Sequence, residues 1–141
     1  MSPQVPSLLI TDDDFDFRHT LRDVFEPRGF RTLLAGDGEE ALAVVRREPV
    51  HVVLLDMYMP RLTGLETLRR VKQTHARLPC ILISADMDAA LAAEAERADA
   101  FSVLSKPVRF AEVTGTVRRA LETTYSWLWE RVPATGPREP R

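Results

Sequence analysis

The sequence predicts an α/β protein of (βα)5 order: one five-stranded parallel sheet, doubly wound, with helices on both faces. Three observations predict it. Five short apolar runs are unbroken rather than alternating, the pattern of strands covered on both sides. The stretches between them carry apolar residues at helical spacing. The 141 residues, 45% hydrophobic and 28% charged, suffice for one domain with a real core.

Each element follows in order. Leu8-Leu9-Ile10 is the first strand and stops at Asp12. Phe17, Leu21, Val24 and Phe25 make the first helical stripe, with Asp14 or Asp16 as its cap and Pro27 and Gly29 closing it. Thr32-Leu33-Leu34-Ala35 is the second strand. Ala41, Leu42 and Val45 form the second stripe, ended by Pro49. The run from Val50 to Leu55 is the third strand and stops at Asp56; Leu65, Leu68 and Val71 form the third stripe. Cys80-Ile81-Leu82-Ile83 stops at Ser84 and is followed by an alanine-rich stripe of Leu91, Ala92 and Ala95. Phe101-Ser102-Val103-Leu104 lies just before Lys106-Pro107. A fifth stripe runs through Phe110, Val113, Val117, Leu121 and Leu128. Strands separated by helices imply a parallel sheet with right-handed crossovers.

Composition excludes several classes. Basic residues number 19 and acidic residues 21, a net charge of -2, which argues against gripping nucleic acid through overall charge. The single cysteine, Cys80, rules out an internal disulfide and sits in an apolar run as a core thiol. No apolar run reaches the roughly 18 residues of a membrane span. The N-terminal MSPQVPSLLITDDD lacks the basic start of a secretion signal, so the cytoplasm is the expected location. His19, His51 and His75 have no mutual spacing suited to a metal.

In a parallel sheet the carboxyl ends of all strands share one edge, where ligands bind. Asp12-Asp13-Asp14, Asp56, Ser84 and Lys106 follow the first, third, fourth and fifth strands. Crowded carboxylates repel unless a cation is present, and hard oxygen ligands with room for water suit Mg²⁺. A divalent ion, an ammonium and a hydroxyl together can surround a phosphoryl group, and a carboxylate beside them can act as nucleophile. Spacing alone thus points to a Mg²⁺-dependent phosphoryl site with an acceptor aspartate. Only Lys72 and Lys106 among the 19 basic residues are lysine, so Lys106 suggests a need for a compact ammonium.

LLITDDD, VVLLDMYMP with Gly64 after it, ILISA and LSKP, taken in this order, resemble the receiver domain of two-component response regulators over about residues 6–121. The resemblance implies a flavodoxin-like fold and a cytoplasmic signalling phosphoprotein rather than an enzyme, one that assists only its own phosphorylation and dephosphorylation. It implies Asp56 as phospho-acceptor. Asp13 would bind Mg²⁺ directly, Asp12 mainly through water, and the Tyr58 carbonyl would be a further metal ligand. Ser84 and Lys106 would hold phosphoryl oxygens. A cis Lys106–Pro107 peptide and a Gly64 that leaves no room for a side chain follow as well. The implied partner is a sensor histidine kinase or phosphotransfer protein, with an output partner beyond it. Two alternatives stand beside it: a phosphorylation-independent pseudo-receiver, and a haloacid-dehalogenase-type phosphohydrolase with Asp12 as nucleophile and Asp14 as acid.

The sequence departs from the family pattern in places. Val103 stands where an aromatic residue usually precedes the lysine by three; Phe101, two residues earlier, would share its face in a regular strand. Val108 replaces the common phenylalanine, and Ala98-Asp99-Ala100 lacks the usual glycine. Tyr58 and Asp86, each two residues beyond a site residue, are expected to tune the lifetime of an aspartyl phosphate. Residues 1–121 are expected to form the domain, 122–132 a helical extension and 133–141 a disordered tail. The last helix is expected to run from Arg109 to Arg131 and to project Tyr125, Trp127, Leu128, Trp129 and Val132 as a homodimer or partner contact. The remaining residues are too few for a DNA-binding module, so no direct nucleic-acid contact is expected.

Overall fold

All five apolar runs are strands of one parallel sheet in the computed structural model, which describes residues 5–126. The strands are β1 (Ser7–Thr11), β2 (Arg31–Ala35), β3 (Val52–Asp56), β4 (Cys80–Ser84) and β5 (Ser102–Ser105). The helices are α1 (Phe15–Phe25), α2 (Gly38–Arg47), α3 (Gly64–Thr74), α4 (Ala89–Arg97) and α5 (Phe110–Tyr125). Strand order is β2-β1-β3-β4-β5, every pair parallel, so the connection direction reverses beside β1 and β3. Ligand crevices form at such a reversal.

Alternation along the strands builds two cores. Leu8, Ile10, Val52, Leu54, Ile81, Ile83 and Leu104 pack on one face with Leu21 and Phe25 of α1 and Val113, Val117 and Leu121 of α5. Leu9, Val53, Leu55, Cys80 and Leu82 pack on the other with α2, α3 and α4. The three central strands β1, β3 and β4 are buried on both faces, which is why they read as unbroken apolar runs. Cys80 is fully buried, and burial pushes its thiol up to about 12, as an inert core thiol requires.

The helix starts have local causes. The Asp14 side chain accepts from the Phe17 amide and caps α1; Asp37 and Asp88 cap α2 and α4 in the same way. Thr63 and Glu66 form a reciprocal capping box at α3. A single 3-10 turn over Glu26–Arg28, with Pro27 in it and Gly29 left-handed after it, closes α1.

Four expectations are corrected. The last helix ends at Tyr125, after 16 residues, with Ser126 in the left-handed conformation, rather than running to Arg131. Tyr125 does not project from the domain. Its hydroxyl donates to the His51 carbonyl at 2.8 Å and its ring meets the His51 ring edge-on. This ties the end of α5 to the loop before β3. Phe101 does not share a face with Val103: it precedes the regular part of β5 and joins the α1/α5 core, whereas Val103 packs on the other. Ala92 is exposed, so Leu91 and Ala95 alone carry the buried stripe of α4. Trp127, Leu128, Trp129 and Val132 lie outside the described residues, as does the tail from residue 133.

Asp99 occupies the place where a glycine was missed. Its φ of 67° is left-handed, a region that aspartate enters more readily than most residues.

Gly64 opens α3 directly under the carbonyl end of β3. A Cβ there would lie 2.4 Å from the Asp56 carbonyl oxygen and 3.0 Å from the Met57 Cα. Both are backbone atoms and cannot rotate away. Gly64→Ala is therefore expected to lower unfolding free energy by about 2–4 kcal/mol in urea denaturation, an unusually large effect for one added methyl.

Candidate functional site

Strand register sets the site before any side chain is considered. β1, β3, β4 and β5 end at nearly the same level, so Asp12, Asp56, Ser84 and Lys106 meet at one edge. Backbone bonds lock this level. The Asp12 amide donates to Ala35 O at 3.1 Å, the Met57 amide to Ile83 O at 2.8 Å and the Lys106 amide to Ser84 O at 2.9 Å.

Asp12 and Asp56 are almost wholly buried, whereas Asp13 is exposed. Each of the three offers a carboxylate oxygen, all within 4.8 Å of one another. Lys106 Nζ lies 3.0 Å from Asp56 Oδ1 and 3.5 Å from Asp12 Oδ2. Asp12 Oδ1 accepts from the Asp14 amide at 2.8 Å, but Oδ2 is buried without a well-formed hydrogen bond. A buried carboxylate oxygen left short of donors, facing two further carboxylates, suits a hard cation.

The electrostatics agree with the crowding. Burial raises the Asp12 carboxyl above the usual carboxylate range and repulsion from Asp56 and Asp13 adds to it, against the Asp14 amide and Lys106. Burial likewise raises Asp56, opposed by the hydrogen bond and charge of Lys106 and by the Tyr58 amide. Partial burial works against the Lys106 charge, but Asp56 and Asp12 outweigh it and hold the ammonium above the usual lysine range.

The other expected residues are placed as follows. Tyr58 has its backbone at the site through that amide, while its ring is exposed. Ser84 is fully buried; its hydroxyl donates to the Asp86 carbonyl at 3.0 Å and accepts from the Asp86 amide at 3.2 Å. The Asp86 side chain is exposed at the rim. The Lys106–Pro107 peptide is cis. Asp14, the acid required by the phosphohydrolase alternative, is engaged as the α1 cap.

Two contacts were not foreseen. The Arg18 guanidinium donates to the Asp12 carbonyl at 2.6 Å, steadying the acidic loop. The Phe17 ring lies under the Lys106 ammonium, 5.0 Å from centroid to Nζ. Their positions on α1 were legible, but nothing in the spacing says what α1 packs against.

The family profile described as Response regulator receiver domain matches residues 8–118. The chain belongs to that family. As a receiver domain it is 32% identical to Sporulation initiation phosphotransferase F of Bacillus subtilis, over 81% of this chain and 92% of that protein. It is 33% identical to the transcriptional regulatory protein CpxR of Klebsiella pneumoniae, over 84% of this chain and 50% of CpxR. It is 31% identical to the regulatory protein AtoC of Escherichia coli, over 92% of this chain and 31% of AtoC. The receiver domain thus spans half or less of those two regulators. Among solved structures, the Francisella response regulator 1452 receiver domain is 28% identical with a TM-score of 0.80, covering 84% of this chain and 98% of that one. A CheY-like receiver of Methanospirillum hungatei shares the fold at a TM-score of 0.84 and 20% identity, over 87% of this chain and 98% of that one. Two-component signalling is therefore the setting of this receiver domain. Among the described residues no helix is long and apolar enough to cross a membrane.

The raised carboxyls have a consequence for stability. A carboxyl whose pKa rises on folding favours the folded state below its unfolded value and loses that contribution as pH climbs through the raised one. In EDTA, Asp56→Asn is expected to raise the melting temperature by about 2–5 °C at pH 7, with the gain shrinking toward pH 4. Thermal unfolding followed by circular dichroism across that range checks it; a lower melting temperature at pH 7 contradicts it.

Proposed function

We propose that the chain accepts a phosphoryl group on Asp56 from the phosphohistidine of a sensor histidine kinase or phosphotransfer protein. The observation that carries this reading is the buried Asp56 carboxylate, 3.0 Å from Lys106 Nζ and clustered with Asp12 and Asp13. The likeness to a protein named as a phosphotransferase, over nearly its whole length, supports it.

In the reaction an Asp56 carboxylate oxygen attacks phosphorus, the P–N bond to the donor imidazole breaks, and the nitrogen leaves with the bonding pair. The product is an acyl phosphate. Asp12, Asp13 and Asp56, with the Tyr58 carbonyl, are the groups that would hold Mg²⁺. The ion would offset charge on the transferring group and on the crowded carboxylates. Lys106 brings an ammonium to a peripheral phosphoryl oxygen, and Ser84 brings a hydroxyl to another. To do so Ser84 must leave the Asp86 carbonyl, which frees the loop between β4 and α4. The two arrangements of that hydroxyl define a two-state element whose balance phosphorylation shifts. The face it biases is that of α4, β5 and α5, from which an output partner would read the state. Val103 gives that face no ring to swing inward, so read-out rests on the loop.

Acetyl phosphate with Mg²⁺ tests the proposal by intact mass. An adduct of about 80 Da that disappears in Asp56→Ala and without Mg²⁺ is expected. An adduct that survives Asp56→Ala, or no adduct from acetyl phosphate or a phosphorylated kinase, refutes it. The second outcome favours a phosphorylation-independent interaction module.

A further inference from the structure

We propose that Phe17 is a positioning residue of the phosphoryl site, holding the Lys106 ammonium in place through the face of its ring. This rests on the reading of Asp56 as phospho-acceptor and adds a residue to it.

The geometry is direct. Lys106 Nζ has three neighbours of opposite polarity: Asp56 Oδ1 at 3.0 Å, Asp12 Oδ2 at 3.5 Å and the Phe17 ring centroid at 5.0 Å. An ammonium within about 6 Å of a ring face is attracted by the ring's quadrupole, more strongly where water is excluded. Lys106 is about one-third exposed along its side chain, so the site is partly shielded. Phe17 is itself half-buried against the α1/α5 core, and its amide is fixed by the Asp14 cap. The ring therefore does not depend on the lysine for its own position. Both side chains also line one cavity of about 510 Å³, with Pro107, Val108 and Phe110 beyond them.

Phosphorylation changes the first of those three contacts, because Asp56 is esterified, and a bound cation would compete for the second, the Asp12 carboxylate. The ring takes part in no bond-making and carries no formal charge. Among these three contacts it is the one that the reaction leaves unaltered. A flexible four-carbon stem needs such a fixed reference if its ammonium is to meet a transferring oxygen without reorganisation.

The test is a double-mutant cycle on phosphorylation by acetyl phosphate at saturating Mg²⁺, well below the melting temperature. Wild type, Phe17→Leu, Lys106→Ala and the double variant are compared, with Phe17→Tyr as the conservative replacement. Phe17→Leu is expected to slow phosphorylation about three- to tenfold, with Mg²⁺ affinity from amide NMR shifts unchanged. Phe17→Tyr keeps close to the wild-type rate, and Phe17→Leu causes no further loss once Lys106 is alanine. A wild-type rate in Phe17→Leu overturns the proposal. So does an equal loss in both backgrounds, because the ring then acts through packing alone; the cycle decides this even if Phe17→Leu melts earlier. If the wild-type chain takes no phosphoryl group at all, the assignment of Asp56 fails first and this role falls with it.

Discussion

Two buried carboxylates share one ammonium, and much of this molecule is arranged around that fact. Asp12 and Asp56 are both nearly inaccessible to water, both have carboxyls raised mainly by burial, and both look toward Lys106. One positive charge does not balance two such negative ones with Asp13 beside them. Left to itself the cluster would disperse into solvent. It stays because each carboxylate is attached to the end of a strand whose other residues are locked between two dry cores. Packing density holds the charges together, and the unrelieved repulsion is what a bound cation would offset.

The same alternation that divides the cores gives the site two sides. Asp56, the last residue of β3, shares the α1/α5 face with Leu54, and just past their strands Lys106 sits against Phe17 of α1 and Asp12 beside Arg18. Ser84 follows Cys80 and Leu82 on the opposite face. The first group meets α1, whose Phe17 and Arg18 touch the lysine and the acidic loop. Ser84 meets the loop before α4 through Asp86. On the proposed reading, phosphoryl transfer at the edge of the sheet would be coupled to two surfaces: the α1 side, which contacts Lys106 and the acidic loop, and the α4 side, where the Ser84 hydroxyl would exchange Asp86 for a phosphoryl oxygen.

The departures from the family pattern fall away from the carboxylates. Val103 lies on the α4 side of β5, Asp99 takes the left-handed turn before it, and Tyr125 ties the end of α5 to His51 at the opposite edge of the sheet. None of them alters the three carboxylates or the ammonium. They change how a signal would leave the domain rather than how it would enter.

Much of this is legible in the sequence. Unbroken apolar runs named the strands to within two residues, because burial on both faces leaves no room for polar alternation. Acidic, hydroxyl and ammonium residues directly after those runs named Asp12, Asp13, Asp56, Ser84 and Lys106, because a parallel sheet must gather its strand ends. The helix end at Tyr125 was not legible: the apolar period continues past it, and only the contact with His51 and the left-handed Ser126 mark the end of α5. Nor was the side taken by Phe101, since parity holds only inside a regular strand. The ring beneath Lys106 belongs to the same class. Sequence by itself settles which residues sit at the edge of the sheet, since that depends on period and order along one chain. Which side chains touch across layers depends on how helices sit on strands, and that is decided only when the whole core packs.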